Sequence, residues 1–206
     1  MSEFVPVPKS LRLAFVGDSF VNGTGDPTCL GWTGRICAEA QRQKNIEITY
    51  YNLGIRRQTS KDILDRWQQE VIPRLPADQD GRVIFSFGVN DTTVEAGSTR
   101  IAYEHSLLYA EEILRKASQR YPVLMIGPSS VPNAEQNVRI KALSDAFAHL
   151  CQHLQIPYLA LFRDLQANET WFQEASENDG YHPKAAGYAA FATLVQQWPF
   201  WQRWVQ

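Results

Sequence analysis

The sequence predicts an α/β fold in which a parallel sheet carries helices on both faces. Short apolar runs rich in strand-forming residues alternate about five times with longer segments whose apolar residues recur at helical spacing. Such alternation is typical of a parallel sheet with crossover helices. The 206 residues suffice for one domain of this kind and are few for two, and no repeat or linker divides them. We therefore expect a single domain over residues 1–206.

The N-terminal half contains the first two strands and two helices. Pro6 and Pro8 predict that residues 1–10 are an irregular lead-in. The strands are apolar runs that stop at or just before a glycine, and the helices have one apolar face. The predicted elements are a strand at Leu11–Gly17, a helix at Trp32–Lys44, a strand at Ile46–Leu53 and a helix that is capped by Ser60 and ends at Val71.

The C-terminal half continues the alternation. Pro183 suits the first position of the last helix, and an aromatic tail, residues 198–206, follows it. The predicted strands are Arg82–Phe87, Val123–Ile126 and Tyr158–Leu161. The predicted helices are Ser98–Arg120, one ending near Leu154, a short one around Glu169–Glu174 and the last one, from Pro183 to about Trp198.

Composition excludes several classes of protein. The formal charge is −2, from 20 basic and 22 acidic residues, so no basic excess indicates a nucleic-acid partner. The N-terminus lacks the pattern of a signal peptide, and no apolar stretch is long enough to span a membrane. Three widely spaced cysteines (Cys29, Cys37 and Cys151) suggest free thiols in a reducing cytoplasm. No metal-ligand spacing or nucleotide-binding motif is present, so we expect no metal and no cofactor.

Polar residues that could support chemistry follow four of the predicted strands. Ser19 follows the first strand, Gly54 the second, Asn90 the third, and Asp179 and His182 the fifth. The carboxyl ends of parallel strands meet at one edge of a sheet. With the strand order 2-1-3-4-5, the loops of Gly54 and Asn90 would flank that of Ser19. The sequence thus predicts that these residues meet at one site.

The residue types at this site suit acyl transfer. A serine hydroxyl is a weak nucleophile, and His182 could serve as its base. Asp179 could hold the imidazole tautomer and stabilise its protonated form. The backbone N–H groups of Ser19 and Gly54, with the Asn90 side-chain amide, could bind an oxyanion. A side chain at position 54 would be expected to crowd the substrate.

Four sequence blocks resemble the SGNH hydrolases, also called GDSL esterases and lipases. They are Gly17-Asp18-Ser19-Phe20, Asn52-Leu53-Gly54, Gly88-Val89-Asn90-Asp91 and Asp179-Gly180-Tyr181-His182-Pro183. The blocks occur in the family's order and span residues 17–183. The resemblance implies a flavodoxin-like three-layer α/β/α sandwich with a catalytic triad of Ser19, His182 and Asp179. It also implies an oxyanion hole formed by Ser19, Gly54 and Asn90.

Two positions depart from the family pattern. Phe20 replaces the name-giving leucine, and Arg57 stands where many members have a second glycine after Gly54. Arg56 and Arg57 are either surface cations that hold the loop by salt bridges or residues that recognise an acidic group of the substrate. Together with Asp18 and Asp91, they are candidate substrate-binding residues. We expect the loops 22–31, 55–59, 91–97 and 128–137 to shape the pocket.

The sequence therefore predicts a cytoplasmic serine hydrolase that cleaves small-molecule carboxylic esters through an acyl-enzyme. The four blocks describe the catalytic centre only, so a carbohydrate O-acetylesterase, a thioesterase and an acyltransferase on the same site stay open. A non-catalytic binding domain is the other alternative, although no member of the triad is missing. The aromatic tail, which contains Trp198 and Trp204, either packs on the domain or forms a substrate rim or a homo-oligomer interface.

Overall fold

The structure, a computed structural model, describes residues 9–206. The strands are β1 (Lys9–Gly17), β2 (Ile46–Gly54), β3 (Gly81–Ser86), β4 (Val94–Glu95), β5 (Ser98–Thr99), β6 (Val123–Ile126) and β7 (Tyr158–Leu159). The α-helices are α1 (Ser19–Asn22), α2 (Gly31–Gln43), α3 (Ser60–Val71), α4 (Tyr103–Ser118), α5 (Ala134–His153), α6 (Phe162–Gln166), α7 (Glu169–Glu177), α8 (Ala185–Gln197) and α9 (Pro199–Trp204). A short 3₁₀ helix covers Asn90–Thr92.

The main sheet has five parallel strands in the order β2-β1-β3-β6-β7. This is the predicted order 2-1-3-4-5, because β6 and β7 are the fourth and fifth strands that the sequence predicts. Gly17 of β1 is in register with Gly54 of β2 and with Ser86 of β3. The three strands thus reach the same edge of the sheet together, which brings their following loops side by side.

Alternate residues of β1 face two separate hydrophobic cores. Leu13 and Phe15 point to the core formed with α2 and α8, where Trp32 stacks on Phe191. Val16 points to the opposite core, formed with α3, α4 and α5. Successive side chains of a strand project from opposite faces, so an apolar run without polar interruptions requires cover on both faces. The three-layer α/β/α sandwich is therefore confirmed.

The helix and strand ends differ from the predictions near the N-terminus. Lys9 and Ser10 begin β1, whereas the rest of the predicted lead-in, residues 1–8, lies outside the described residues. The N-cap of α3 is Thr59 instead of Ser60. Thr59 and Asp62 exchange hydrogen bonds in a capping box. The Thr59 N–H donates to the Asp62 carboxylate, and the Asp62 N–H donates to the Thr59 hydroxyl, so both N–H groups have acceptors.

Two further helices begin later than predicted. Helix α4 begins at Tyr103 instead of Ser98. The segment from Val94 to Thr99 forms the β4–β5 hairpin, because Ala96 and Gly97 adopt positive φ angles of 51° and 84° and turn the chain back. Helix α8 begins at Ala185 instead of Pro183.

The aromatic tail forms helix α9, with Pro199 at its first turn. Trp198 and Trp201 are buried in the core shared with α2 and α8. The Arg82 guanidinium donates to the Trp204 carbonyl at 2.9 Å. The tail thus packs on the body of the protein, as one of the two interpretations predicts. Within residues 9–206, no helix has both the length and the apolar character that a membrane crossing needs.

Gly54 is required by a close approach of two backbone segments. A Cβ atom at this position would lie 2.2 Å from the Asn22 nitrogen and 2.7 Å from the Asp18 carbonyl oxygen. Helix α1 therefore packs directly on the end of β2. We expected a glycine here to leave space for the substrate. The structure shows instead that the close contact with α1 requires it.

We expect Gly54→Ala to lower the free energy of unfolding by about 1–3 kcal/mol, because the added methyl group forces α1 away from β2. Gly34→Ala in α2 is the matched control, since its Cβ would meet neighbours only at ordinary distances of 3.4–3.5 Å. Replacing a helical glycine by alanine should stabilise the protein by up to about 1 kcal/mol. Urea unfolding, followed by circular dichroism, measures the free energy of unfolding of both variants. Equal effects of the two substitutions would contradict the contact between α1 and β2.

Candidate active site

Ser19 is the first residue of α1, and one residue, Asp18, separates it from the end of the central strand β1. The Asp18 side chain caps this helix by accepting the Phe20 N–H at 2.9 Å. Gly23 ends the helix in the left-handed region, with φ of 81°. The predicted loop after β1 is thus a single helical turn that fixes the direction of the Ser19 side chain. The Ser19 N–H lies in the first turn, where backbone N–H groups have no partner within the helix.

A chain of two hydrogen bonds links three of the predicted residues. Ser19 Oγ lies 2.7 Å from His182 Nε2, and His182 Nδ1 lies 2.7 Å from Asp179 Oδ2. Ser19 and His182 are both buried, while Asp179 is partly exposed. These distances suit proton transfer from the hydroxyl to the imidazole.

The loop that carries His182 is held by several backbone contacts. Asp179 Oδ1 accepts the N–H groups of Tyr181 and His182 at 3.0 and 2.8 Å. The Asn178 amide donates to the His182 carbonyl at 3.0 Å. Glu174 of α7 accepts the N–H groups of Lys184 and Gly187 at 2.9 and 2.7 Å and so caps α8.

Glu174 explains why α8 begins after Pro183. Its carboxylate supplies the acceptor for the first turn from outside the helix. The sequence carries no sign of this contact, because Glu174 looks like any other glutamate on the polar side of a short helix.

Burial and hydrogen bonding shift the pKa values of the His182–Asp179 pair. Burial lowers the pKa of His182 below its usual value, and the neighbouring Asp179 only partly opposes this effect. Burial alone would raise the pKa of Asp179, but hydrogen bonds from the backbone and ring of His182 hold it below the usual range. At neutral pH the imidazole is therefore uncharged and able to accept a proton, while Asp179 is ionised.

Two of the three candidate oxyanion donors, the Asn90 amide and the Gly54 N–H, already have hydrogen-bond acceptors. The Asn90 amide donates to the Gln58 carbonyl at 3.0 Å and lies 3.4 Å from Asp18 Oδ2, so its orientation is fixed. The Gly54 N–H donates to Asn52 Oδ1 at 3.0 Å. Asn52 in turn donates to the Val21 carbonyl at 2.8 Å, which ties β2 to α1.

A cavity of about 190 Å³ opens beside Ser19. It brings together the predicted residues Ser19, Asn90, Arg56, Arg57, Asp179 and His182, but its lining does not include Gly54. The other lining residues are Phe20, Val89, Thr93, Glu95, Arg100 and Tyr181. Of the four predicted pocket loops, 55–59 and 91–97 contribute to the lining, while 22–31 and 128–137 do not.

Arg57 retains the backbone shape that a glycine would favour. Its φ angle is 65°, in the left-handed region. Its guanidinium pairs with Glu95 of the β4–β5 hairpin at 2.9 Å. Arg56 lies 3.9 Å from Asp179 Oδ2. The departure from the family pattern at position 57 thus changes the side chain while keeping the turn.

Asp18 and Asp91 are buried at 1% exposure and do not line this cavity. This differs from the expectation that they contact substrate. Burial raises the pKa of Asp18 to about 7, although the Phe20 N–H favours its charged form. Burial likewise raises the pKa of Asp91, which accepts the Ser60 N–H at 2.8 Å. Both carboxyl groups hold parts of the site together: Asp18 contacts α1 and Asn90, and Asp91 contacts the start of α3.

Arg66 of α3 is a supporting residue that the sequence analysis missed. Its guanidinium donates to the Gly17 carbonyl at 3.0 Å and to the Leu53 carbonyl at 2.9 Å. It thereby joins the ends of β1 and β2 beneath the site. Arg66 pairs with Glu70 four residues later, a spacing common on exposed helix faces, so the sequence pattern does not single it out.

In residues 9–206, no group of three or more His, Cys, Asp or Glu side chains is placed to hold a metal ion. The three cysteines are free, and Cys37 and Cys151 are buried. Burial raises the pKa of the Cys151 thiol to about 12, which disfavours the reactive thiolate.

The fold is a flavodoxin-like sandwich, and the edge of its sheet brings a serine, a histidine and an aspartate together. The sequence profile of the GDSL-like lipase/acylhydrolase family matches residues 15–190. The chain belongs to this family and is a carboxylic ester hydrolase.

Several proteins resemble the chain over most of its length. An uncharacterized protein, YpmR of Bacillus subtilis (strain 168), is 23% identical over 90% of this chain and 80% of its own. A lipase/acylhydrolase from Enterococcus faecalis superposes with a TM-score of 0.75 at 19% identity, covering 94% of this chain and 96% of the other. An acetylxylan esterase from Geobacillus stearothermophilus superposes with a TM-score of 0.72 at 15% identity, covering 92% and 94%.

The raised pKa of Asp18 makes stability depend on pH. Between the unfolded value, about 4, and the folded value, about 7, the unfolded chain loses its proton while the folded chain keeps it, so stability falls as pH rises. An asparagine at this position would still cap α1 without a charge. We expect Asp18→Asn to unfold at higher urea than the wild type at about pH 8, with a smaller difference at about pH 5. A difference that is the same at both pH values would contradict this account.

Proposed function

We propose that this protein hydrolyses carboxylic esters in two steps, with Ser19 as nucleophile, His182 as general base and Asp179 as its partner. The observation that carries this proposal is the continuous chain of 2.7 Å hydrogen bonds from Ser19 through His182 to Asp179, beside an open cavity. A nucleophile, a base within reach and a group that orients the base are the features that define such a site.

In the first step, Ser19 Oγ attacks the ester carbonyl carbon and its proton passes to His182 Nε2. Asp179 stabilises the resulting imidazolium and keeps Nδ1 protonated throughout. The tetrahedral intermediate then collapses, and the bond from carbon to the alcohol oxygen breaks. His182 returns the proton to that oxygen, so the alcohol leaves neutral and the acyl group stays on Ser19.

In the second step, water attacks the acyl-enzyme carbonyl while His182 takes one of its protons. Collapse of the second intermediate returns the proton to Ser19 Oγ and releases the carboxylic acid. The pKa of His182, which burial lowers, supports this cycle because the free enzyme holds the ring neutral at the start of each step.

We assign the oxyanion to the Ser19 N–H, the Gly54 N–H and the Asn90 amide. The Asn90 amide lines the cavity, and its two N–H groups point to the Gln58 carbonyl at 3.0 Å and to Asp18 Oδ2 at 3.4 Å. The longer contact with Asp18 would give way to the oxyanion, and the Gly54 N–H would share its proton between Asn52 and the oxyanion. One such donor typically contributes about a hundredfold or more in rate.

Related structures support the proposed roles of a serine, a histidine and an aspartate. The acetylxylan esterase from G. stearothermophilus has been solved as catalytic mutants in which a serine, a histidine or an aspartate is replaced by alanine. A two-domain esterase active on acetylated mannans also superposes, with a TM-score of 0.71 at 20% identity, covering 96% of this chain and 50% of that one.

The size of the cavity favours a short acyl group. Its volume of about 190 Å³ lies below the roughly 300–1,000 Å³ of typical ligand pockets. A second candidate function, removal of O-acetyl groups from a carbohydrate, fits this volume. Thioester hydrolysis and acyl transfer would use the same centre.

Hydrolysis of p-nitrophenyl esters from acetate to palmitate tests the proposal directly. We expect the wild type to turn over the short esters best. Ser19→Ala should lower kcat by a factor on the order of 10⁴ or more while leaving thermal unfolding unchanged, because the nucleophile is lost and the change is small. Ser118→Ala, an exposed serine at the end of α4, is the matched control and should behave as wild type. Turnover that survives in Ser19→Ala would overturn the assignment.

The pH dependence of kcat/KM gives a second test. Because burial lowers the pKa of this base below its usual value, we expect activity to rise with pH along an acid limb centred below the usual pKa of a histidine. Asp179→Asn should lower kcat by a large factor, since the neutral amide cannot stabilise the imidazolium and its N–H group can donate to Nδ1, which leaves the ring in the wrong tautomer. An acid limb centred clearly above 6.5 would contradict the role of burial at His182.

A further inference from the structure

Three guanidinium groups line the mouth of the cavity. They belong to Arg56, Arg57 and Arg100, and the carboxylates that line the same cavity belong to Glu95 and Asp179. Arginine stays protonated at all working pH values. With His182 neutral, three positive charges therefore face two negative ones, and the cavity carries a net positive charge.

The two carboxylates are not equally available to the arginines. Glu95 lies 2.9 Å from Arg57 and 3.8 Å from Arg100, so it serves two guanidinium groups. Asp179 accepts hydrogen bonds from the ring and backbone of His182 and from the Tyr181 N–H.

Arg56 has the least compensated charge of the three. Among the acidic side chains of residues 9–206, only Asp179 lies within 4 Å of it, at 3.9 Å. This distance is too long for a direct hydrogen bond. The side chain is 64% exposed, so its planar donors are open to a ligand that enters the cavity.

We propose that Arg56 is a specificity-determining residue that binds a carboxylate on the alcohol portion of the ester. This inference rests on the proposed function, because it uses the same cavity and nucleophile. A guanidinium offers two parallel N–H donors that match the two oxygens of a carboxylate.

The position of Arg56 favours the alcohol portion over the acyl portion. His182 returns a proton to the leaving oxygen, so the alcohol must lie against the imidazole. Arg56 lines the same cavity as His182 and lies 3.9 Å from Asp179, the carboxylate that orients this ring. The acyl carbonyl, in contrast, must face the oxyanion donors around Asn90.

The test compares two esters of the same acid and nearly the same shape. Meta-acetoxybenzoate carries a carboxylate on its alcohol portion, and meta-acetoxybenzamide carries a neutral amide at the same place. We expect the wild type to prefer the anionic ester by about five- to tenfold in kcat/KM, with the preference falling as salt is added. Ser19→Ala should abolish turnover of both.

Variants then separate Arg56 from the general charge of the protein. Arg56→Gln should remove the preference, measured as the ratio of kcat/KM for the two esters at a pH on the plateau of activity, while Arg56→Lys keeps part of it. Glu95→Gln should strengthen the preference, because it releases the guanidinium groups of Arg57 and Arg100. Arg115→Gln, which removes an exposed arginine paired with Glu111 on α4, is the matched control and should change nothing.

The pH profile supplies an independent readout. Burial is the main cause of the low pKa of His182, Asp179 opposes it, and the positive charge of Arg56 lowers the pKa further. Arg56→Gln should therefore move the acid limb of kcat/KM for the neutral ester to higher pH, which reports that the guanidinium lies near the ring. An acid limb that stays in place would count against this position of Arg56.

The outcomes distinguish this inference from the proposed function. Serine-dependent turnover of the neutral ester with no preference for the anionic one would overturn the role of Arg56 and leave the hydrolase intact. A preference that survives in Arg56→Gln would overturn it as well. Failure to turn over either ester would count against both. A preference lost in Arg56→Gln, retained in Arg115→Gln and increased in Glu95→Gln would support it.

Discussion

The His182 imidazole joins two parts of the chain that lie 163 residues apart. One ring nitrogen contacts the residue after the first strand, and the other contacts the loop before the last long helix. The ring must hold both contacts within about 3 Å while remaining neutral, and burial makes both possible. Much of the surrounding structure serves to keep this ring in place. Glu174 caps α8, Asn178 holds the His182 carbonyl, and Asp179 folds its own loop by accepting two backbone N–H groups.

The opposite side of the site is held by contacts between backbone segments. Helix α1 is a single turn, too short to be stable by itself. It is kept in place by the Asp18 cap, by the Asn52 amide and by direct contact with Gly54. Arg66 then ties together the last carbonyl groups of β1 and β2. Ser19, the proposed nucleophile, therefore sits on a firmly held edge of the sheet, which suits a reaction that depends on fixed distances.

Local patterns were enough to predict the strand order and the proximity of Ser19, His182 and Asp179. The blocks of Ser19 and Asn90 closely follow the buried strands β1 and β3, so the topology brings both residues to one edge of the sheet. The block of His182 follows α7 and reaches the same cavity. Contacts distant in sequence were not predictable in this way. Glu174 and Arg66 occupy ordinary polar positions of their helices, and only the folded chain shows which carbonyl or N–H groups they meet. The β4–β5 hairpin had a local signal in Gly97, but the helical pattern that follows obscured it.

The left-handed backbone at Arg57 has an evolutionary consequence. A residue with a Cβ atom costs about 1 kcal/mol or more in this conformation, whereas glycine adopts it freely. Reversion to glycine at this position would therefore be favoured by folding stability alone. A lineage free of selection on the Arg57 side chain should drift toward glycine, and persistence of arginine would indicate that the guanidinium, and not the turn, is what selection maintains.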